Sequence, residues 1–272
     1  MSLRRNAHPS RMEHPIRPME PERWPEPFDD PRWQFEIKWD GIRCIAVAGP
    51  QGVRFYGRKG SDWTGRFPEV AGELAARRGV FDGELVVLEG GRPSFPAMLR
   101  RLHRRQGAVH YMVFDMLEDE DARDLRALAL PLRQAELPAF SGCVRRVPPV
   151  AGEGRTLFRA AEDAGLEGVV AKRLDSPYVQ GKSPLWRKVK CWRSLTCVVL
   201  GADVDRGEVR SVRIGLPDVG PIGSVGGLGR AQGEELLAAL GSDAPVLCRV
   251  SYIEWTPDGQ LRHPRWQGLV RA

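Results

Sequence analysis

The chain has 272 residues, 42% hydrophobic and 28% charged, values typical of a globular protein with one large domain or two ordinary ones. No apolar run approaches the roughly 18 residues of a membrane span, and the polar, proline-rich start lacks the apolar core of a secretory signal. The formal net charge of +6 and the isoelectric point near 9.3 favour an anionic partner such as nucleic acid or nucleotide, although arginine-rich composition alone raises both.

The N-terminal segment, residues 1–31, is expected to form an extended arm. Six prolines lie between Pro15 and Pro31, and a proline inside a helix removes a hydrogen bond and clashes with the preceding turn. The sequence leaves open whether this arm lies across the next domain or stays mobile.

The stretch at 35–43 is the one around which the chain is predicted to be organised. Its first four residues alternate apolar and polar side chains, as a strand does, and end at Lys38. Asp40-Gly41 then offers a turn, and a second strand begins at Arg43. Lys38 is therefore predicted where a strand enters a tight turn, which fixes the backbone and exposes the side chain.

Lysine is scarce in this chain, with six lysines beside thirty-five arginines. A guanidinium stays protonated in proteins, whereas an amine can lose its proton and attack. Lysines retained against this bias are candidates for chemistry or for compact contact with phosphate. Chance survival on a solvated surface explains Lys59 and Lys182 equally well. The other four are Lys38, Lys172, Lys188 and Lys190.

Alternating strands and helices are predicted up to about residue 193. The strands are Arg43–Ala48, Gly52–Tyr56, Val80–Leu88, Val109–Leu117, Cys143–Val147, Glu167–Lys172 and Trp186–Trp192, the last after a loop through Pro177 and Pro184. The helices are Phe67–Arg78, Pro96–Arg105, Asp124–Leu137 with an interruption at Pro131, and Arg155–Leu166. The four arginines of Pro96–Arg105 form either a contact with a nucleic-acid backbone or a solvated helix face.

The pattern of predicted secondary structure changes near Ser194. Short β-rich runs at Thr196–Ala202, Val209–Ile214 and Val246–Trp255 are separated by glycine-rich loops and by one helix at Gln232–Leu240. This pattern fits a small barrel of the oligonucleotide-binding type. The predicted organisation is α+β: the arm 1–31, a domain of antiparallel sheets with flanking helices at 32–193, and a β-barrel domain at 194–272.

The five cysteines are odd in number and scattered along the chain. This usage indicates free, buried thiols in a reducing cytoplasm, and the protein is therefore expected to be cytoplasmic. They are Cys44, Cys143, Cys191, Cys197 and Cys248.

An ordered set of short motifs resembles the covalent nucleotidyltransferases, which comprise ATP-dependent DNA ligases, RNA ligases and capping enzymes. One such motif alone is weak evidence, but six in the family's order are specific. They are K-W-D-G-I-R at 38–43, G-R-K-G at 57–60, D-G-E-L at 82–85, V-F-D at 113–115, E-G-V-V-A-K at 167–172 and W-R-K-V-K at 186–190.

The C-terminal stretch at 254–269 resembles the end of the ligase domains of bacterial end-joining enzymes and their small stand-alone relatives. The chain departs from relatives by stopping at Arg271-Ala272 and by lacking the large N-terminal DNA-binding domain of eukaryotic replicative ligases. The resemblance therefore implies a minimal ATP-dependent DNA ligase whose second domain is an oligonucleotide-binding fold.

The resemblance implies that the Lys38 amine attacks the α-phosphate of ATP, expels pyrophosphate and carries AMP. Nearby cations, a bound metal and desolvation are all expected to lower the pKa of Lys38. Lys188 and Lys190, two apart on a strand, point to one face and would stabilise the α-phosphate; a solvated basic stripe is the alternative.

Other site residues follow from the same resemblance. Glu84 would contact the ribose hydroxyls and, with Glu167, place a divalent metal, Mg²⁺ or Mn²⁺. Phe114 would stack on adenine, or serve only as core packing. The further nucleotide-binding candidates are Glu36 at the adenine, Lys172 at the adenine or a phosphate, Arg43 and Arg58 at the ribose or nick 5′-phosphate, and Arg262 and Arg265 at the β- and γ-phosphates.

The implied reaction seals nicks in double-stranded DNA, in repair, recombination or replication. Lys38 is adenylated, AMP passes to the 5′-phosphate, and the 3′-hydroxyl attacks and releases AMP. An RNA ligase or capping-type enzyme is the rival within enzymes, and a non-catalytic nucleic-acid-binding protein on a ligase scaffold is the rival of another class. A monomer is expected, with a Ku-like or other repair protein as a candidate partner.

Overall fold

A computed structural model describes residues 15–241, 244–256 and 258–270, and the strands and helices given below lie within them. The chain divides into two compact units, Met1–Val189 and Lys190–Ala272. No helix among the described residues is both long and apolar enough to cross a membrane. All five cysteines are free thiols; Cys143 is partly buried, and the prediction of buried thiols is confirmed for the other four.

The first unit contains two large sheets, here called sheet A and sheet B. Sheet A has the order β1-β11-β10-β2-β9 and sheet B the order β4-β3-β5-β7-β8, with β6 paired to β5. The strands are β1 (Met19–Arg23), β2 (Trp33–Ile37), β3 (Ile42–Gly49), β4 (Gly52–Gly57), β5 (Gly79–Glu89), β6 (Arg92–Pro93), β7 (Val109–Glu118), β8 (Val144–Arg146), β9 (Val150–Ala151), β10 (Gly168–Arg173) and β11 (Gly181–Lys190).

The two sheets pack face to face through one apolar cluster. Ile45 and Phe114 of sheet B and Met19 and Trp186 of sheet A belong to it, and all are buried. Because side chains alternate along a strand, a polar side chain two residues from an apolar one of this cluster, such as Arg43 before Ile45, also points into the space between the sheets. The predicted site residues of the first unit lie largely in this space.

Four helices belong to the first unit: α1 (Pro68–Leu74), α2 (Phe95–Arg104), α3 (Leu130–Ala135) and α4 (Gly154–Asp163). Helices α1 and α2 pack on the outer face of sheet B, where Val70 and Met98 join a second core cluster with Phe81. Leu157 of α4 packs against Phe35 and Ala171 of sheet A. The basic helix α2 thus lies on the opposite face of sheet B from the space between the sheets.

Several predicted elements differ from the observed ones. The sheets are mixed rather than antiparallel, because β1 pairs with β11 and β7 with β8 in parallel. Residues 124–129 are not helical, since the Asp124 carboxylate accepts the Arg126 amide at 2.9 Å and such local bonds compete with a helix. Strand β11 begins at Gly181 within the predicted loop; its pairing with β1 shifts register between Ser183 and Arg187, which accommodates Pro184.

The second unit is a five-stranded sheet of order β14-β13-β12-β15-β18, with a two-stranded β16-β17 ribbon and the helix α5. Its elements are β12 (Arg193–Asp205), β13 (Glu208–Leu216), β14 (Gly220–Gly226), α5 (Arg230–Leu240), β15 (Leu247–Tyr252), β16 (Glu254–Trp255), β17 (Leu261–Arg262) and β18 (Arg265–Leu269).

Two predictions for this second unit are wrong. The glycine-rich segment expected to be a loop is strand β14, because it pairs with β13 and buries Ile222 and Val225. The single run predicted at Val246–Trp255 is two strands, β15 in the five-stranded sheet and β16 in the ribbon. In the parts of the chain that the structure describes, β14 and β18 are not paired, and the sheet does not close.

Candidate active site

Lys38 follows directly after β2, where the sequence places it, and two contacts fix its backbone. The Lys38 amide donates to the Gly168 carbonyl of β10 at 2.9 Å. Three residues on, Gly41 lies so close to sheet B that a Cβ there would be 2.1 Å from the Leu85 carbonyl oxygen. Any larger residue at position 41 would push the turn away from β5. The Lys38 side chain is thus held between sheet A and sheet B.

The Lys38 ammonium lies in an acidic environment. Its Nζ donates to Glu167 Oε2 at 2.5 Å, and the Lys38 side chain is 20% exposed. Burial lowers the pKa of Lys38, but the charges of Glu167, Glu84 and Asp40 outweigh burial and raise the pKa above its usual value. The expectation that this pKa is lowered is therefore wrong for the protein alone, because carboxylates rather than cations dominate the surroundings.

Glu84 lies on β5, beside Arg43 of β3 in the pairing register. Burial raises the pKa of the Glu84 carboxyl to about 7, against the opposing charges of Lys38 and Arg43, and the neighbouring Glu167 and Asp40 raise it further. A carboxyl with this pKa exchanges its proton near neutral pH. Lys38, Glu84 and Glu167, which the sequence places far apart, are therefore brought together.

Arg43 is held by a bidentate pair with Asp82, which is fully buried. Its Nε and Nη2 donate to the Asp82 carboxylate at 2.6 and 2.7 Å, and Nη2 also donates to the Met19 carbonyl at 3.0 Å. The Tyr178 hydroxyl donates to the same carboxylate at 2.5 Å. This network ties the described part of the predicted arm to the site through β1.

A second lysine–carboxylate pair, Lys172–Glu36, lies deeper between the sheets. The Lys172 Nζ is 2.6 Å from Glu36 Oε2, and both side chains are only 2% exposed. Burial lowers the pKa of Lys172, and Arg43 lowers it further, although the Glu36 and Asp115 carboxylates act in the opposite direction.

Two glutamines hold the other oxygen of Glu36. Gln34 Nε2 donates to Glu36 Oε1 at 2.9 Å and Gln134 Nε2 donates to it at 3.1 Å. Gln134 Nε2 also donates to the Phe114 carbonyl at 2.8 Å. The glutamines therefore connect the two residues predicted to contact adenine, Glu36 and Phe114.

The Phe114 ring is 8% exposed and belongs to the core between the sheets. The Lys172 Nζ lies 4.0 Å and the Arg43 guanidinium carbon 4.5 Å from its ring centroid. Trp186 meets the same ring edge-on at 6.1 Å. Phe114 thus combines core packing with cation–π contacts to two predicted nucleotide-binding residues.

Three further predicted cations lie on β11 and in the turn after β4. Lys188 and Lys190 alternate with buried Val189 on β11 and so share the face of Trp186, as predicted. Arg58, in the turn after β4, forms an ion pair with Glu20 of β1; their side chains are 55% and 14% exposed.

Glu84 and Glu167 fit a divalent cation in the number and kind of their donors. Mg²⁺ is commonly held by one or two carboxylates, with water and substrate phosphate completing its shell. Among the described residues, no group of three or more His, Cys, Asp or Glu side chains is arranged to hold a metal. A site of this kind would therefore depend on the nucleotide for further oxygen ligands.

Arg262 and Arg265 belong to the second unit, on β17 and β18. Both are exposed, and the Arg265 guanidinium carbon lies 4.1 Å from the centroid of a Trp192 ring. Their role toward the triphosphate stays a prediction.

Sequence reasoning missed four residues that shape the site: Gln34, Gln134, Tyr178 and Glu20. Only Gln34 had a usable signal, because it alternates with Glu36 and Lys38 along one strand and therefore shares their face. Gln134 and Tyr178 reach the site from loops and helices distant in sequence.

Comparison with known proteins agrees with this geometry. Residues 22–190 match the family model described as ATP dependent DNA ligase domain. The multifunctional non-homologous end joining DNA repair protein LigD of Mycobacterium tuberculosis is 32% identical over 276 residues, covering 88% of this chain and 36% of that protein. The SPbeta prophage-derived DNA ligase-like protein LigB of Bacillus subtilis is 27% identical, covering 89% and 94%.

Solved structures that resemble this chain are also DNA ligases. A mycobacterial DNA ligase D complexed with ATP and MES is 31% identical, with a TM-score of 0.62 and coverage of 94% of this chain and 95% of that one. The ligase domain of M. tuberculosis LigD is 30% identical with a TM-score of 0.61. The chain belongs to the ATP-dependent DNA ligase family. It spans about a third of the length of the LigD proteins that it matches.

Proposed function

We propose that this protein is an ATP-dependent DNA ligase that seals nicks in double-stranded DNA through an adenylate carried on Lys38. The observation that carries the proposal is the Lys38 amine, 2.5 Å from Glu167, inside the segment that matches the ligase family. The reaction runs in three steps: Lys38 forms a bond to the α-phosphorus of ATP as pyrophosphate leaves, AMP passes to the 5′-phosphate of the nick, and the 3′-hydroxyl displaces AMP.

Attack requires the neutral Lys38 amine. Glu167 accepts a hydrogen bond from this amine and orients it, and the amine loses its proton to water before it attacks. Lys188 and Lys190 supply positive charge that favours the neutral amine and stabilises the α-phosphate as charge develops on it. Glu84 and Glu167 would hold Mg²⁺ or Mn²⁺, which when bound neutralises phosphate charge.

The deeper pair, Lys172–Glu36, would recognise the base of the nucleotide. The Glu36 carboxylate accepts hydrogen bonds, so it suits the amino group of adenine and repels the carbonyl that guanine carries at the same position. Phe114 would stack on the base, Lys172 would lie beside the adenine or a phosphate, and Glu84 would also contact the ribose. Arg43 and Arg58 would bind the ribose or the nick 5′-phosphate.

The second unit is proposed to be an oligonucleotide-binding fold, with domain limits at 1–31, 32–193 and 194–272. Its order supports this, because the meander β12-β13-β14 is followed by α5 and by two further strands of the same sheet, β15 and β18, as in the partly open five-stranded barrel of this type. Arg262 and Arg265 of this unit would approach the β- and γ-phosphates during adenylation.

The substrate is a nick in duplex DNA, and the strong arginine bias favours contacts with its phosphates. A cytoplasmic monomer acting in DNA repair, recombination or replication, with a Ku-like or other recruiting partner, completes the proposal.

The test is sealing of a nicked DNA duplex with ATP or GTP, beside the same nick in RNA. We expect sealing of DNA with ATP and loss of sealing in Lys38→Ala, whereas Lys182→Ala, which changes an exposed lysine of β11, retains it. Labelling of the protein with α-labelled ATP or GTP is measured beside sealing. Labelling by GTP would favour a capping-type enzyme, and sealing of RNA alone would favour an RNA ligase. The absence of labelling by either nucleotide would favour a binding protein on this scaffold.

A further inference from the structure

One carboxylate of β1 lies among cations that are expected to hold phosphate. The Glu20 carboxylate accepts a hydrogen bond from Arg58 Nη2, and Arg58 is the proposed ligand of the ribose or nick phosphate. Burial raises the pKa of Glu20, but the hydrogen bond and charge of Arg58, with the charges of Arg17 and Lys188, outweigh it and lower the pKa. Glu20 is therefore the counter-ion of Arg58, and the charge of Lys188 also acts on it.

The backbone around Glu20 is fixed, so only its side chain can leave. Met19 is held on both sides, because its amide donates to the Tyr178 hydroxyl at 2.9 Å and its carbonyl accepts from Arg43 at 3.0 Å. Glu20 itself pairs with Lys182 of β11 in the parallel ladder. The Arg58 side chain is 55% exposed, so an incoming anion can reach it from solvent.

We infer that Glu20 competes with phosphate for Arg58, so that a phosphate enters this subsite only by displacing the Glu20 carboxylate. The inference rests on the proposed function for the identity of the ligand. The phosphate comes either from the 5′ end of the nick or from the pyrophosphate portion of the nucleotide. By holding Arg58, Glu20 weakens the binding of an anion that has to be released in each cycle.

Glu20→Gln keeps the shape of the side chain and removes its charge. Glu22→Gln on the same strand is the matched control, because Glu22 is exposed and loses the same charge. Glu20→Asp retains the charge and tests whether charge or shape matters. All variants are compared as full-length chains, without ATP and with a chelator, so that no sealing takes place during binding.

The first arm measures the affinity for a nicked duplex with a 5′-phosphate divided by the affinity for the same duplex with a 5′-hydroxyl. The second arm measures the rise in melting temperature caused by inorganic pyrophosphate. Since a partly exposed ion pair is worth up to about 1 kcal/mol, Glu20→Gln is expected to raise the ratio about threefold to fivefold, or to increase the pyrophosphate effect.

An increase in either quantity that is confined to Glu20→Gln supports competition. An increase in the affinity ratio identifies the nick 5′-phosphate as the competing group, and a larger rise in melting temperature identifies pyrophosphate. Equal behaviour of Glu20→Gln, Glu22→Gln and the wild type in both arms overturns it, and so does a lower ratio in Glu20→Gln. The proposed function is tested separately, because a wild-type chain with no preference for the 5′-phosphate nick contradicts the ligase assignment whatever Glu20 does.

Discussion

Two lysine–glutamate pairs lie between the sheets, and they differ in burial and in the direction of the lysine pKa. Lys38 is 20% exposed beside Glu167, and three carboxylates raise its pKa. Lys172 is 2% exposed beside Glu36, and burial lowers its pKa. The same kind of ion pair can therefore serve as a reactive group where water reaches the lysine and as a fixed hydrogen-bonding wall of the proposed base site where water does not.

The difference lies in how each pair is enclosed. Glu36 is held by Lys172 and by two glutamines, so its position is fixed on both oxygens. Lys38 donates to Glu167, the charges of Glu84 and Asp40 also act on it, and its side chain is 20% exposed. Moving the Lys38 side chain out of its ion pair therefore costs less free energy than moving the Lys172 side chain out of its own.

The largest effect is expected from Lys38→Arg, which keeps the positive charge and removes the nucleophile. A guanidinium stays protonated, so adenylate formation should fall by about a thousandfold or more, as when a covalent nucleophile is removed. Radiolabel transfer from α-labelled ATP measures this, with Lys182→Arg as the control. Labelling of Lys38→Arg near the wild-type rate would assign the chemistry to another residue.

The buried pair is tested by stability. Lys172→Met leaves the Glu36 carboxylate buried without its cation, and the free energy of unfolding should fall by about 3–5 kcal/mol. Lys38→Met should cost less, because water reaches that side chain. Denaturant unfolding measures both.

The double variant Glu36→Gln/Lys172→Met separates the charge from the packing of this pair. It removes both charges, so it should recover much of the stability lost in Lys172→Met. Equal stability of the single and double variants would show that the loss comes from packing alone.

The raised pKa of Glu84 makes stability depend on pH. Its pKa is about 7 in the folded chain and about 4.3 in an unfolded one, so the folded chain binds more protons between these values. This contribution is complete below the unfolded pKa and is lost as the pH rises through about 7, with a total of about 3.5 kcal/mol, of which about 2 kcal/mol is lost between pH 5 and 7. Glu84→Gln should therefore flatten the decline in unfolding free energy between pH 5 and 7.

This pH series is measured by denaturant unfolding in the presence of a chelator and without nucleotide. Glu89→Gln, on the exposed end of the same strand, is the control and should keep the wild-type decline. An identical decline in Glu84→Gln would mean that the Glu84 carboxyl is solvated in solution.

The smallest effect is expected at Gln134, which orients Glu36 without contacting Lys38. Gln134→Leu removes one hydrogen bond to that carboxylate, worth about 1 kcal/mol. The preference for ATP over GTP in adenylate formation should fall about fivefold, with Gln51→Leu in the exposed β3–β4 turn as the control. A weaker affinity for both nucleotides with an unchanged preference would leave Gln134 only a packing role.

Local patterns in the sequence predicted the position of Lys38 well. The alternation before it and the Asp40-Gly41 turn after it are written in neighbouring residues, and the common face of Lys188 and Lys190 follows from strand periodicity alone. These features depend on the backbone of one strand, so no distant contact was needed to infer them.

Long-range pairing could not be predicted in the same way. Strand β1 pairs in parallel with β11, and Glu20 meets Arg58 across 38 residues, which no local pattern encodes. Strand β14 was not predicted because glycine is depleted in strands, whereas its pairing with β13 and the burial of Ile222 and Val225 stabilise it. The raised pKa of Lys38 was likewise unforeseen, since it depends on how closely Glu84 and Glu167 approach from segments distant in sequence.

The most direct test is to locate the nucleotide on the protein after incubation with ATP and magnesium. Peptide mapping by mass spectrometry should find one AMP attached through an acid-labile bond to Lys38, and none on Lys172. No adduct, or an adduct confined to a different residue, would contradict the assignment of Lys38 as the carrier of adenylate.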